Sequence, residues 1–176
     1  GDGNFSANPQ WLGDITKYTI SGASNELQLN DLGNSGPAQL YVPMNIQDST
    51  TWEFLIRTAL TTSGPSSSNR IRIYLQSDNA DFSAANLNGY YLQIGETGSL
   101  DAIEIFRVTN GTATSILRGT DGQVSGATNN ARLRVVRDNT GNWELFVDYT
   151  GGTTYVSEGT ATDATHNSGG FFGVYT

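Results

Sequence analysis

Between Arg132 and Asp148 the chain reads RLRVVRDNTGNWELFVD. Leu133 and Val135 alternate with Arg132 and Arg134; further on, Trp143, Leu145 and Val147 alternate with Glu144, Phe146 and Asp148. Alternation at period two sends successive side chains to opposite faces of a strand. With Asp138-Asn139-Thr140-Gly141 as the turn between the two runs, the stretch is a β-hairpin. The same pattern recurs along the chain and predicts strands near Lys17–Ile20, Glu26–Asn30, Gln39–Val42, Thr51–Ala59, Arg70–Ser77 and Tyr90–Gly95. It predicts others near Ala102–Thr109, Thr114–Arg118, Arg132–Asp138, Asn142–Asp148, Thr154–Glu158 and Phe171–Tyr175. Asn34-Ser35-Gly36-Pro37, Ser63-Gly64-Pro65, Asn110-Gly111, Asp121-Gly122 and Gly151-Gly152 separate them. Asn79–Asn88 is the one candidate for a helical turn or long loop, and no helical periodicity exceeds two turns. Short strands at this spacing mean a β-sandwich or a barrel, with residues 1–176 as a single all-β domain.

Composition narrows the function classes. The 176 residues are 36% hydrophobic and only 15% charged, with a net charge of −8, and eight of the nine basic residues are Arg. An acidic surface with scattered Arg argues against a nucleic-acid groove and against an anionic-membrane binder. Cys is absent, which removes disulfides, thiolate zinc sites and a cysteine nucleophile; the single His, His166, has no second His to pair with. No apolar run is long enough to span a membrane, so no membrane insertion is expected. The low Lys and high Thr, Asn and Gly content leans towards an extracellular or cell-surface setting. Asn4-Phe5-Ser6 and Asn110-Gly111-Thr112 match the N-glycosylation pattern, as chance allows in so Asn- and Thr-rich a chain.

Alternation also assigns faces. Ile71, Ile73 and Leu75 share one side, as do Trp52, Phe54 and Ile56, and Tyr90, Leu92 and Ile94. With Leu133, Val135, Trp143, Leu145 and Val147 they form the expected core, in which Trp52 and Trp143 are the largest members. The opposite side carries Arg72, Tyr74, Gln76, Tyr91, Gln93, Arg134, Glu144 and Phe146.

Several stretches resemble a module at the start of large secreted proteins of the Bacteroidetes, often ahead of lamin-tail-like or adhesive domains. They are NPQWLGDITKYTI (8–20), ELQLND (26–31), TWEFLIR (51–57), SSSNRIRIYLQSDNA (66–80), LNGYYLQIGE (87–96), RDNTGNWELFVD (137–148), GGTTYVSEGT (151–160) and FFGVYT (171–176). The resemblance implies an all-β concanavalin A-like jelly roll, a β-sandwich of two curved antiparallel sheets with one concave face. It implies surface or glycan association rather than an assigned chemistry. Members of the module continue past the equivalent of FFGVYT into a further strand. The expectation here is therefore either a shortened piece or a sheet with an unfilled edge.

Three chemistries follow. Glycoside hydrolysis needs two carboxylates facing one another across the scissile bond, and glucanases of this fold take them from one strand as Glu-x-Asp-x-x-Glu. The nearest stretch offers Asp101 and Glu104, three apart and so on opposite faces of a strand; no catalytic residue is assigned. Calcium needs hard oxygens, which Asp78, Asn79 and Asp81 supply, with Asn86 and Asn88 nearby; a structural Ca2+ is the only cofactor suggested, against an Asx-turn cluster that serves its own backbone. Glycan binding needs rings to stack on sugar C–H faces and polar groups to orient the hydroxyls. Arg72, Tyr74, Gln76, Tyr91, Gln93, Arg134 and Glu144 have that mixture, provided their strands are neighbours; cross-strand pairing is the structural alternative. Trp11 is a platform or a core plug. The leading reading is a non-catalytic surface-attachment module whose partner is a polysaccharide or surface glycan. The alternative is a self-assembling surface protein, or one completed by a neighbouring domain, through an open sheet edge. A glycoside hydrolase is the remote third.

Overall fold

The computed structural model describes residues 5–176 apart from 8, 23, 32, 34, 35, 48 and 62. Its strands are β1 (Leu12–Gly13), β2 (Tyr18–Ile20), β3 (Leu27–Leu29), β4 (Gln39–Ile46), β5 (Thr50–Ala59), β6 (Ile71–Ser77) and β7 (Gly89–Ile94). They continue with β8 (Ile103–Thr109), β9 (Thr112–Arg118), β10 (Thr128–Arg137), β11 (Asn142–Asp148), β12 (Val156–Thr162) and β13 (Gly169–Tyr175). A 3-10 turn at Ile15–Lys17 is the only helical element among the described residues. Two antiparallel sheets face each other. One has the order β1-β4-β13-β6-β7-β8-β9 and the other β12-β11-β10-β5; β2 and β3 form a separate hairpin.

The expected alternation supplies the core. Ile73, Leu75, Tyr90, Leu92, Ile94, Ile103, Ile105 and Leu117 from the seven-stranded sheet meet Trp52, Ile56, Leu133, Val135, Trp143, Leu145 and Val147 from the four-stranded one. Trp52 and Trp143 stack with ring centres 5.9 Å apart and planes 5° from parallel, a contact worth about 0.5–1.5 kcal/mol beyond its buried area. The Arg132–Asp148 hairpin forms with Val135 opposite Leu145. Asp138 shapes its turn: the carboxylate accepts the N–H groups of Thr140 and Asn142.

Three expectations are corrected. The strand expected at Thr154–Glu158 runs later, over Val156–Thr162, because the Asp148 carboxylate holds the preceding turn through the N–H groups of Thr150 and Thr154. The last strand does not leave an unfilled edge: β13 lies inside the seven-stranded sheet, paired with β4 on one side and β6 on the other. Among the described residues the open edges are β1 and β9 in that sheet and β5 and β12 in the other. Finally, β10 and β11 belong to a different sheet from β6 and β7, so the outward row drawn from the sequence is split between opposite sides of the molecule.

Candidate functional site

The outer face of the seven-stranded sheet is ordered by register into two parallel rows that cross the strands. One row is polar. Gln39 lies opposite Tyr175, Tyr175 opposite Arg72, Arg72 opposite Gln93, Gln93 opposite Glu104, and Glu104 opposite Arg118. The neighbouring row is aromatic: Tyr41, Gly173, Tyr74, Tyr91, Phe106 and Ser115 follow one another from β4 to β9.

The aromatic row is mostly roofed over. The segment 78–88 between β6 and β7 folds back across it, and Phe82 stacks on Tyr74 with ring centres 4.1 Å apart and planes 9° from parallel. Gly173 makes the room, since a Cβ there would lie 2.7 Å from the Phe82 ring. Phe82 is anchored through its backbone, its N–H donating to Gln39 Oε1 and its carbonyl accepting from the Tyr74 hydroxyl. Tyr74 and Tyr91 are accordingly only 2% and 3% exposed. The expectation that these two rings stand free is corrected: they point outward from the sheet but are buried in a second small core with Phe82, Leu87 and Val108. Burial pushes both phenols above the ordinary tyrosine range.

The polar row remains half-exposed. The Arg72 guanidinium lies over the Tyr91 ring, 4.8 Å from its centre, and its Nε donates to Gln93 Oε1 at 2.9 Å. Arg72 has no carboxylate within ion-pair distance among the described residues, whereas Arg118 is tied to Glu96, Glu104 and Asp121. Tyr175 and Phe106, both half-buried, flank Arg72 and Gln93 on the same face. Sequence reasoning missed these two, although each alternates with an inward residue, Val174 and Ile105.

The remaining candidates lie elsewhere. Gln76 is wholly buried and faces inward, not outward. A bulge between Tyr74 and Gln76 shifts the register, setting Gln76 opposite inward-facing Tyr90. There its amide donates to the carbonyls of His166 and Ser168 and its oxygen accepts from Arg137. Arg137 is 1% exposed and has no carboxylate partner among the described residues; it rests against the faces of Tyr90 and Trp143. Arg134 and Glu144 sit on the far side of the sandwich. Arg134 bridges Glu53 at 3.2 Å and covers the Tyr155 ring, and Glu144 accepts from Ser157. These are cross-strand pairs.

Asp78, Asn79 and Asp81 do not fit a calcium site. Asp78 accepts from the backbone N–H and side-chain amide of Asn88, Asn79 Oδ1 accepts from Asp81 N–H, and Asp81 accepts from the N–H and hydroxyl of Ser83. Those bonds from Ser83 hold the Asp81 carboxyl below its ordinary range. The three side chains serve the turns of their own loop. No group of three or more His, Asp or Glu is placed to hold a metal among the described residues. Asp101 is buried and accepts from Glu96 N–H, while Glu104 is held by Ser115 and Arg118, so the two carboxylates do not face one another. His166 bonds Thr109 through Nε2. Trp11 is half-buried, tilted against Phe172 at 6.3 Å, and lines a depression of about 320 Å³ with Phe5, Leu12 and Ile15. No helix of the described residues is long and apolar enough to cross a membrane.

No protein-family model matches the chain, and no curated protein sequence does. Solved structures do. The chain is similar to the carbohydrate-binding module CBM66 from Bacillus subtilis, with a TM-score of 0.60 and 16% identity over 94% of this chain and 86% of that one. It is similar to the exoplasmic/lumenal domain of VIP36 in its Ca2+/Man2-bound form, with a TM-score of 0.60 and 10% identity over 95% and 73% of the two chains. The carbohydrate recognition domain of Emp46p, in a potassium-bound form, matches with a TM-score of 0.60 and 13% identity over 94% and 80%. At these identities the likeness is one of fold, and the fold is an all-β jelly-roll sandwich of the lectin and carbohydrate-binding-module kind.

Proposed function

We propose that the chain is a single-domain, non-catalytic, carbohydrate-binding module of an extracellular or cell-surface protein. Its ligand is a polysaccharide or surface glycan, and the ligand crosses the outer face of the seven-stranded sheet along the polar row. The observation that carries this is the unbroken register Gln39–Tyr175–Arg72–Gln93–Glu104, half-exposed beside a wall of rings. Such a strip presents hydroxyl, guanidinium, amide and carboxylate groups in line, as the hydroxyls of an extended sugar chain require. Arg72 and Gln93 stay in the site; Tyr74 and Tyr91 become the floor under Arg72; Tyr175 and Phe106 become the rings that sugar C–H faces can meet. Sugar-binding domains with the same fold, named above, support the reading. Their calcium is not carried over to Asp78, Asn79 and Asp81, which bond within their own loop and belong to no group of three or more His, Asp or Glu among the described residues.

The test is affinity electrophoresis and thermal shift against a panel of polysaccharides. One polysaccharide should raise the melting temperature, since a ligand at 100 times its dissociation constant adds about 2.7 kcal/mol. Arg72→Ala and Tyr175→Ala should each weaken that binding about tenfold or more, equivalent to about 1.4 kcal/mol, without lowering the melting temperature of the free protein by more than a few degrees. A panel with no response, or variants that bind as the parent does, removes the polar row as the site. Release of reducing ends would replace the reading with an enzymatic one.

A further inference from the structure

The strand at the open edge of the four-stranded sheet is unusual in its length and regularity. β5 covers Thr50–Ala59 and pairs with β10 without a register shift, yet nothing pairs with its other side among the described residues. It contains no proline and no bulge, the features that commonly blunt an edge.

Hydrogen-bond parity fixes which residues serve that open side. Leu60 N–H donates to the carbonyl of Ala127, which lies opposite it by continuation of the register. Asp138 N–H likewise donates to Asn142 on the other side of β10. Odd-numbered residues of β10 therefore turn to β5 and even-numbered ones to β11, since the bonding direction alternates along an antiparallel strand. On β5 it follows that even-numbered residues are bonded to β10. Thr51, Glu53, Leu55, Arg57 and Ala59 turn their N–H and C=O groups to the open side.

The side chains of those same odd residues stand on the outer face, with Thr51, Glu53, Arg57 and Ala59 exposed. Their charges are symmetric about Leu55. An antiparallel pairing of β5 with a second β5, centred on Leu55, sets Glu53 opposite Arg57 twice and Thr51 opposite Ala59 twice. All five odd residues then exchange bonds with their counterparts. The charge series is continuous across the seam: Arg134 and Glu53 of one copy meet Arg57 and Glu26 of the other, because both in-chain pairs already exist. A change of one residue in the offset would set bonding groups against non-bonding ones, and a change of two, which moves the centre by one residue, keeps the bonds but separates the charge pairs.

We infer that the protein forms a closed twofold dimer through β5, joining two four-stranded sheets into one eight-stranded sheet, with a second copy of this chain as the occupant of the edge. About ten main-chain hydrogen bonds form across the seam. The exposed ion pairs contribute little energy and set the register. A twofold contact uses the same strand on both copies, so it closes and does not propagate. The seam lies on the opposite sheet from the proposed sugar-binding row, so either reading can fail without the other.

The experiment is sedimentation equilibrium of the full chain over a hundredfold range of concentration. The expected species has twice the 18.9 kDa chain mass. Arg57→Glu sets like charges opposite each other twice and should raise the dimer dissociation constant at least tenfold; the double variant Glu53→Arg with Arg57→Glu should restore it. Leu55→Pro removes the central edge N–H, which has no partner among the described residues, and should give a monomer. Circular dichroism checks that each variant keeps its β-sheet. A monomer at every concentration, a mass that grows without limit, an Arg57→Glu protein that dimerises as the parent does, or a double variant that stays monomeric would each overturn the inference.

Discussion

Gly173 sets how closely the segment 78–88 can approach the sheet. It has no Cβ, and one placed there would lie 2.2 Å from the Leu40 carbonyl oxygen and 2.7 Å from the Phe82 ring. Gly173→Ala should therefore cost about 1–3 kcal/mol in urea unfolding and should increase the exposure of Tyr74, read by quenching of tyrosine fluorescence. Gln76 is the other deciding residue. Its side chain supplies hydrogen-bonding oxygen to a buried arginine that no carboxylate balances among the described residues, so Gln76→Ala should cost about 2–3 kcal/mol, with an unchanged dependence on urea. The sequence pattern around Gln76 reads as plain alternation. The bulge that turns it inward comes from the partner strand and from the carbonyls of His166 and Ser168, some ninety positions away in the chain, and no local signal encodes them.

Strands were the most legible elements, because burial on one face writes period two into the chain wherever a strand forms. Thr51–Ala59 and the Arg132–Asp148 hairpin emerge close to their expected limits. Sheet membership was not legible. Alternation tells the inner side of a strand from the outer, but Tyr74 and Glu144 look alike as outward residues although they stand on opposite sides of the molecule. The loop 78–88 was legible as an Asx-rich turn and not as a lid, since the stacking of Phe82 on Tyr74 depends on Gly173, far along the chain. Phe82→Ala should remove the roof at a cost of about 3–5 kcal/mol. A chelator such as EDTA should leave the melting temperature of the parent unchanged, because the Asp78 and Asp81 bonds that shape the loop are internal.

The whole molecule should show a stability plateau bounded on both sides by titration. Asp163 is held below the ordinary carboxylate range: burial alone would raise it, but hydrogen bonds from Tyr90, Thr165 and Arg107 prevail. Asp81, Asp138 and Asp148 are lowered by bonds from their own turns. In each case the unfolded chain takes up protons first, so stability is complete above about pH 4 to 5 and falls as pH drops through the lower folded values. At the other end, burial pushes Tyr18 and Tyr90 up to about 12. The unfolded phenols lose protons near pH 10 while the folded ones keep them, so stability falls from about pH 10 upward. Urea unfolding across this range checks both limbs; a flat profile below pH 4 would contradict the acidic one. The position of β13 has a consequence for synthesis. The ribosome delivers Gly169–Tyr175 after β1 to β12, yet this strand is the one that joins β4 to β6. Until it arrives, the nascent sheet exists as two separate halves, each with a raw border. The newborn chain is thus open to misassociation at these borders until β13 is translated, and a pause just before it would be more harmful than one earlier.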